Sequence, residues 1–277
     1  MIFSIIIPTC NRNNSLEKCL DALHPDLQHF PIANYEVIVT DDSPTNIAKE
    51  LITNKYKWVE WIAGPKKGPA ANRNNGAKMA TADWLIFLDD DVIPSSMIIN
   101  NYLKALLGDT KILVLEGKVL PDREQQNQVE ESPINEYGGK LWSCNFAIKR
   151  KLFFELKGFD ENFPFAAMED VDLHLRLINK GIIIKFVDNA LVIHPWRQPK
   201  NIIEISNKRF LSTLYFLKKH PTSTNEINPK YFLKAGLHRI KDAITNGHKF
   251  QYKGTYSKLI DGLLQFKYAS VLFFRKK

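Results

Sequence analysis

Apolar and polar positions fall in blocks along this chain, and the period of the blocks changes from strand-like to helix-like and back. Ile2–Ile7 is an apolar run, after which Leu16, Cys19, Leu20 and Leu23 recur at helical spacing, with Asn14 or Ser15 placed to cap. Glu36–Thr40 predicts a second strand, ending in Asp41-Asp42-Ser43-Pro44, and Ile47–Ile52 a helix. Lys57–Ile62 predicts a third strand carrying Trp58 and Trp61, and Asn72–Thr81 a helix after the Gly68-Pro69 turn. Trp84–Leu88 is fully apolar and stops abruptly at Asp89-Asp90-Asp91, as a strand buried on both faces does. This β-α-β rhythm predicts an α/β fold: a mainly parallel sheet covered by helices on both faces.

The later pattern is looser. Ile112–Val119 and Leu141–Ile148 have strand character, and the polar stretch Asp122–Pro133 between them reads as a flexible loop. Leu152–Leu156 predicts a short helix stopped at Gly158, and Asp170–Lys180 a helix ended by Gly181. Ile182–Val187 and Leu191–Ile193 read as two strands. From about residue 200 the chain reads mostly as helix, rich in Lys and aromatic residues, and no internal repeat is evident.

Composition adds little until charge is divided along the chain. With 277 residues, 44% hydrophobic and 25% charged, the chain can bury a substantial core. Cys10, Cys19 and Cys144 form no disulfide framework or zinc spacing, which points to a reducing cytoplasm. The start reads as a first strand, not a leader peptide, and no apolar run nears the roughly 18 residues of a bilayer span. The net charge is +8, yet residues 200–277 hold 16 Lys/Arg against four Asp/Glu, a balance of +12; the remaining 22 basic and 26 acidic residues give −4. An acidic body with a basic tail suggests an anionic surface as partner: membrane lipid, nucleic acid or charged glycan.

The candidate chemistry sits at strand ends, where open α/β sheets bind ligands. Three adjacent carboxylates repel one another unless a cation lies among them, and hard oxygen ligands suit Mg²⁺ or Mn²⁺. The triplet alone is equally compatible with an acidic turn capping a helix near Pro94. Pro8-Thr9-Cys10-Asn11-Arg12 and Asp41-Asp42 end two further strands, and all three clusters would converge on one sheet edge. Asp42 suits a ribose or nucleobase, or an Asx turn with Ser43-Pro44. The helix opening at Gly68–Gly76, with Arg73, suits a diphosphate, or is a tightly packed helix start with Arg73 solvated. It is neither the triphosphatase loop nor the dinucleotide fingerprint. Glu169-Asp170-Val171-Asp172 opens a helix, as its dipole favours; Asp172 pairs with Arg176 as a surface ion pair, and Asp170 is a candidate general base. His194, ending a strand, is a candidate further ligand for the same cation.

In order and spacing, these segments resemble a family 2 glycosyltransferase of the GT-A fold. The matching pieces are Ile5–Arg12, Glu36–Ser43, Gly68–Gly76, Phe87–Asp91, Gly158–Phe163 and Glu169–Leu177, and the match covers about residues 2–197. The resemblance implies a catalytic domain over 1–199, with a nucleotide-sugar and metal half over about 1–110 and an acceptor half over 111–199; residues 200–277, which carry no specific resemblance, read as a basic, mainly helical C-terminal extension. It implies inverting transfer from a nucleotide-diphosphate sugar, a UDP-sugar by expectation, to a glycan or lipid-linked acceptor in bacterial-type surface glycan synthesis. Pro8, Thr9, Arg12, Asp42, Arg73, Asp89 and Asp90 would hold the donor; Asp89, Asp91 and His194 would hold Mn²⁺ or Mg²⁺. Asp170 would be the base, with Trp142, Asn145 and Glu169 bordering the acceptor. Asn72 departs from the Ala the family often has there. The absence of a Gln-x-x-Arg-Trp segment argues against a processive synthase.

Two rivals are a metal-dependent nucleotidyltransferase, which needs a loop richer in Gly and Lys than Gly64–Gly76, and a non-catalytic protein gripping nucleic acid with its tail. The second leaves the acidic strand ends unexplained, so nucleic acid is not the expected partner. The expected location is cytoplasmic, peripheral at the inner face of the membrane. The tail would supply Lys/Arg, with Leu263, Leu264, Phe266, Val271, Leu272, Phe273 and Phe274 partly inserted, or would pack as a helical subdomain.

Overall fold

Phe3–Thr9 (β1) is buried at every position because it lies mid-sheet, between β2 (Tyr35–Asp41) and β4 (Trp84–Leu88), both parallel to it. The structure is a computed structural model and describes residues 1–275; Lys276 and Lys277 of the basic extension lie outside the described residues. β3 (Val59–Ala63) continues the parallel run beyond β2. Past β4 the direction reverses: β7 (Asn145–Lys149) is antiparallel to both β4 and β6 (Val114–Pro121). β8 (Ile184–His194) is parallel to β6, and β5 (Ile93–Pro94) closes the edge antiparallel to β8. The order is β3-β2-β1-β4-β7-β6-β8-β5, with four of seven neighbouring pairs parallel.

The helices are α1 (Asn13–Ala22), α2 (Pro25–Gln28), α3 (Ile47–Lys55), α4 (Pro69–Met79), α5 (Ile98–Gly108), α6 (Arg150–Glu155), α7 (Glu169–Asn179), α8 (Ile202–Lys219), α9 (Pro229–Thr245) and α10 (Thr255–Arg275). Successive strand residues point to opposite faces, so one apolar run feeds two cores. Ile5, Ile7, Val37, Val39, Ile86 and Leu88 face Leu16, Cys19 and Leu20 of α1. Ile6, Ile38, Leu85 and Phe87 face the other way, onto Ala70 and Ala77 of α4 and onto Phe146, Phe153, Phe159, Leu173 and Leu177. Each such side chain fully buried contributes about 1.5–3 kcal/mol of transfer free energy. The small residues of α4 have a steric reason: a Cβ on Gly76 would lie 2.5 Å from Cγ2 of Ile6, so the helix rests directly on β1. Asn72 clamps the same contact, its amide donating to Thr40 O at 2.8 Å and Thr9 O at 3.3 Å.

Several expectations are corrected. α1 starts at Asn13 with Arg12 at its cap, not at Asn14 or Ser15, because the Arg12 carbonyl accepts the first amides, Ser15 and Leu16. The two strands expected over Ile182–Val187 and Leu191–Ile193 are one, β8, which starts at Ile184 and whose register against β6 shifts at Gly117/Lys118. Helix α4 begins at Pro69, whose missing N–H costs nothing in the first turn. The segment expected to be a flexible loop is organised by Glu130, which accepts from Arg123 and from the amides of Gln126 and Asn127. Asp172 is no surface residue: it is fully buried against Arg176, whose guanidinium also donates to the carbonyls of Leu156 and Gly158.

The chain divides into two compact units, and two short segments, Arg123–Ser132 and Phe163–Met168, group with the C-terminal helices. The sheet and α1–α7 make up the first. In the second, Phe210 stacks on Tyr268 at 4.2 Å with Phe232 edge-on, and Glu131 takes a two-pronged ion pair from Arg209. Here α9 and α10 cross where Gly236 and Gly262 meet; a Cβ on Gly236 would lie 2.9 Å from the Gly262 carbonyl. Among the described residues no helix is long and apolar enough to cross a membrane.

Candidate functional site

Parallel register carries the C-terminal ends of β1, β2 and β4 to one edge, because Thr9 aligns with Asp41 and Ile6 with Phe87. At that edge the three aspartates take different jobs. Asp90 is 0% exposed and turned toward the start of the chain, accepting from Thr9 Oγ1 at 2.7 Å and pairing with Arg12 at 2.6 Å. Asp91 pairs with the second Arg12 nitrogen at 3.1 Å, and Asp89 with Arg73 at 2.6 Å. On β8, His194 brings Nε2 to 3.6 Å from Asp91 Oδ1. Ligand atoms of Asp89, Asp91 and His194 lie within 4.8 Å of one another.

These three fit a divalent cation. The His194 ring is 1% exposed, and its Nδ1 lies 2.8 Å from Pro195 O. A carbonyl only accepts, so Nδ1 carries the proton and Nε2 presents its lone pair toward Asp91. Burial holds the His194 pKa below the usual imidazole value, which favours that neutral ligand form. Two carboxylates with one imidazole suit Mn²⁺ better than Mg²⁺, which favours all-oxygen shells.

Arg73 is buried on α4, not solvated. Its guanidinium joins Asp89 to Oε1 of Glu169 at 3.5 Å and lies over the Phe159 ring, 5.5 Å from its centroid. Glu169 and Asp170 open α7. Burial pushes the Glu169 carboxyl up to about 7 against the opposing pull of Arg73, and its Oε2 has no hydrogen-bond partner among the described residues. Burial also raises the Asp170 carboxyl, against the opposing pull of backbone amides, among them Val171 N, which donates to its Oδ1 at 2.8 Å. Neutralising one carboxyl of the pair relieves the charge next to the other. Since Glu169 binds a proton more tightly folded than unfolded, it contributes a stability loss that grows as pH rises from its ordinary value through about 7. Glu169→Gln lacks this loss. Urea denaturation should therefore show the variant gaining on wild type between about pH 5 and about pH 8.

Other predicted residues sit differently. Asp42 is at the edge, but its oxygens accept from the amides of Lys66 at 2.8 Å and Gly68 at 3.0 Å, so it shapes the loop leading into α4. Pro8 and Thr9 lie within β1. Trp142 is half-buried, its indole donating to Ile134 O. Asn145 is inside the sheet: its amide donates to the carbonyls of Lys118 and Ala190 and its oxygen accepts from Tyr102, which spends the side chain on joining β6, β8 and α5. Sequence reasoning missed Glu116, a buried β6 carboxylate that gathers the amides of Gly139, Lys140 and Leu141 and so fixes the loop before Trp142. The glycine pair Gly138-Gly139, at φ 86° and 83°, was its sequence signal.

The family model for glycosyl transferase family 2 matches residues 4–163. The chain belongs to that family. Among curated relatives of this family 2 chain, validoxylamine A glucosyltransferase of Streptomyces hygroscopicus subsp. jinggangensis is 24% identical over 270 residues, covering 82% of this chain and 63% of the relative. Pre-mycofactocin glycosyltransferase of Mycobacterium tuberculosis is 27% identical over 215 residues, covering 70% and 43%. The chain thus spans about three fifths or less of the length of these relatives. S. aureus TarS 1-349 in complex with UDP-GlcNAc superposes with a TM-score of 0.58 at 19% identity, over 97% of this chain and 81% of that one, which places the fold among GT-A proteins.

Proposed function

We propose that this family 2 protein is a metal-dependent, inverting glycosyltransferase that moves a sugar from a nucleoside-diphosphate donor, a UDP-sugar, to the hydroxyl of a glycan or lipid-linked acceptor. The observation that carries the reading is the buried Arg73, joining a carboxylate of the Asp89–Asp91–His194 cluster to the Glu169–Asp170 pair. One side of that link suits a diphosphate and the other a sugar hydroxyl. A bound cation would supply charge neutralisation for the departing diphosphate. Arg73 adds a fixed positive charge beneath it without reorganising. Asp170, its basicity raised by burial, takes the acceptor proton, and in-line attack on the anomeric carbon inverts its configuration.

The donor class is supported by the TarS complex with UDP-GlcNAc. A lipid-linked acceptor is supported by a relative in Campylobacter jejuni, GalNAc(5)-diNAcBac-PP-undecaprenol beta-1,3-glucosyltransferase, 27% identical over 174 residues. Surface-glycan synthesis at the inner face of the membrane follows as the setting, with the basic helices as its anchor. The test is a screen of nucleotide sugars with Mn²⁺ that reports the released product. UDP release is the expected result; pyrophosphate release would make the protein a nucleotidyltransferase, and neither product from any donor would overturn the reading.

A further inference from the structure

Helix α9 carries an outward face that the catalytic reading does not use. Leu233, Leu237 and Ile244, spaced by four and seven residues, fall on one stripe. All three are exposed, Leu237 by 62% and Ile244 by 68%. Lys230, Lys234 and Lys241 run along one edge of the stripe, all exposed and with no ion pair among the described residues. The only acidic residues from α9 to the end of α10 are Asp242 and Asp261. Both are already neutralised within the helix pair, Asp242 by Lys258 and Asp261 by Arg239. The outward lysines therefore keep their full positive field.

An apolar stripe flanked by lysines, on a helix too polar to span a bilayer, is the signature of a helix lying in the plane of a membrane interface. We infer that α9 is the membrane-docking face of this protein, seating Leu233, Leu237 and Ile244 at the acyl boundary while Lys230, Lys234 and Lys241 contact anionic lipid headgroups. The neighbouring helix α10 also exposes Leu263, Lys267 and Phe274. It does not insert as expected throughout, since Leu272 is buried and Leu264 and Phe266 are half-buried. An anionic bilayer, not a protein, is the occupant because the charge is of one sign and unopposed. The inference rests on the proposed glycosyl transfer only for its purpose, which is to hold the enzyme beside a lipid-linked acceptor.

The test is sedimentation of the whole chain with vesicles of phosphatidylcholine alone or mixed with phosphatidylglycerol, alongside UDP release measured in detergent-free buffer without vesicles. Wild type should pellet only with the anionic vesicles and should be released by salt. Leu237→Ser with Ile244→Ser should abolish pelleting, and Lys234→Gln with Lys241→Gln should weaken it by roughly 25-fold, about fivefold per lysine. The altered positions are exposed, so UDP release should be unchanged, and its loss in wild type would count against the catalytic reading alone. Equal pelleting of the variants, or none by wild type, overturns the docking face. So does wild-type self-association in the ultracentrifuge that the serine variant abolishes, because a second copy would then cover the stripe.

Discussion

Asp170→Asn should lower turnover by roughly 10²–10⁴ while leaving donor affinity intact, the range expected when a positioned proton acceptor is lost. The substitution is well matched to the question. Asp170 stands in the first turn of α7, where Asn serves a helix start as well as Asp does, and its oxygen would still accept from Val171. The fold and the donor side are thus preserved, and what disappears is the ability to take a proton. Steady-state UDP release gives the turnover, and calorimetric titration of the donor gives the affinity. Near-normal turnover would reject the assignment, and a parallel fall in donor affinity would mean that Asp170 holds substrate instead of activating it.

The second large effect is on cation binding. Asp91→Ala should weaken Mn²⁺ binding by more than about 100-fold, since altering groups behind the ligands alone costs 10–100-fold. Asp91 is the member of the cluster that faces both His194 and Arg12. Without it Asp89 and His194 remain, too few to fix a coordination shell. Arg12 keeps its pair with Asp90, so the start of α1 should hold and thermal unfolding should change little. Electron paramagnetic resonance of added Mn²⁺ reads the loss directly, without relying on turnover. Equal Mn²⁺ affinity in variant and wild type would remove Asp91 from the ligand set.

What the sequence made legible follows from what is local in the chain. Ile5–Ile7 and Trp84–Leu88 announced themselves because a doubly covered strand has no polar face to show. The convergence of Thr9, Asp42 and the aspartate triplet was legible because parallel strands end on the same side. The partners of those groups were not. Arg73 finds Glu169 across 96 positions and Asp42 finds the Gly68 amide across 26, separations over which spacing has no periodic signature. Asp172 and Arg176, four apart, advertised a pair but not its burial, because Leu156 and Gly158 supply carbonyls from another helix end. The family resemblance set Asn145 beside the acceptor; its bonds to Lys118 and Ala190, at the β6–β8 register shift, hold it inside the sheet, which no local pattern records.

The buried guanidinium of Arg73 has a consequence for engineering. A single positive charge serves one carboxylate 16 positions along the chain and another 96 positions along. Specificity is often redesigned by splicing the front of one homologue to the rear of another, on the assumption that the pieces are interchangeable. Here the seam would cut a shared counterion, so a chimaera must inherit positions 73, 89 and 169 from one parent or carry an unbalanced charge at its centre.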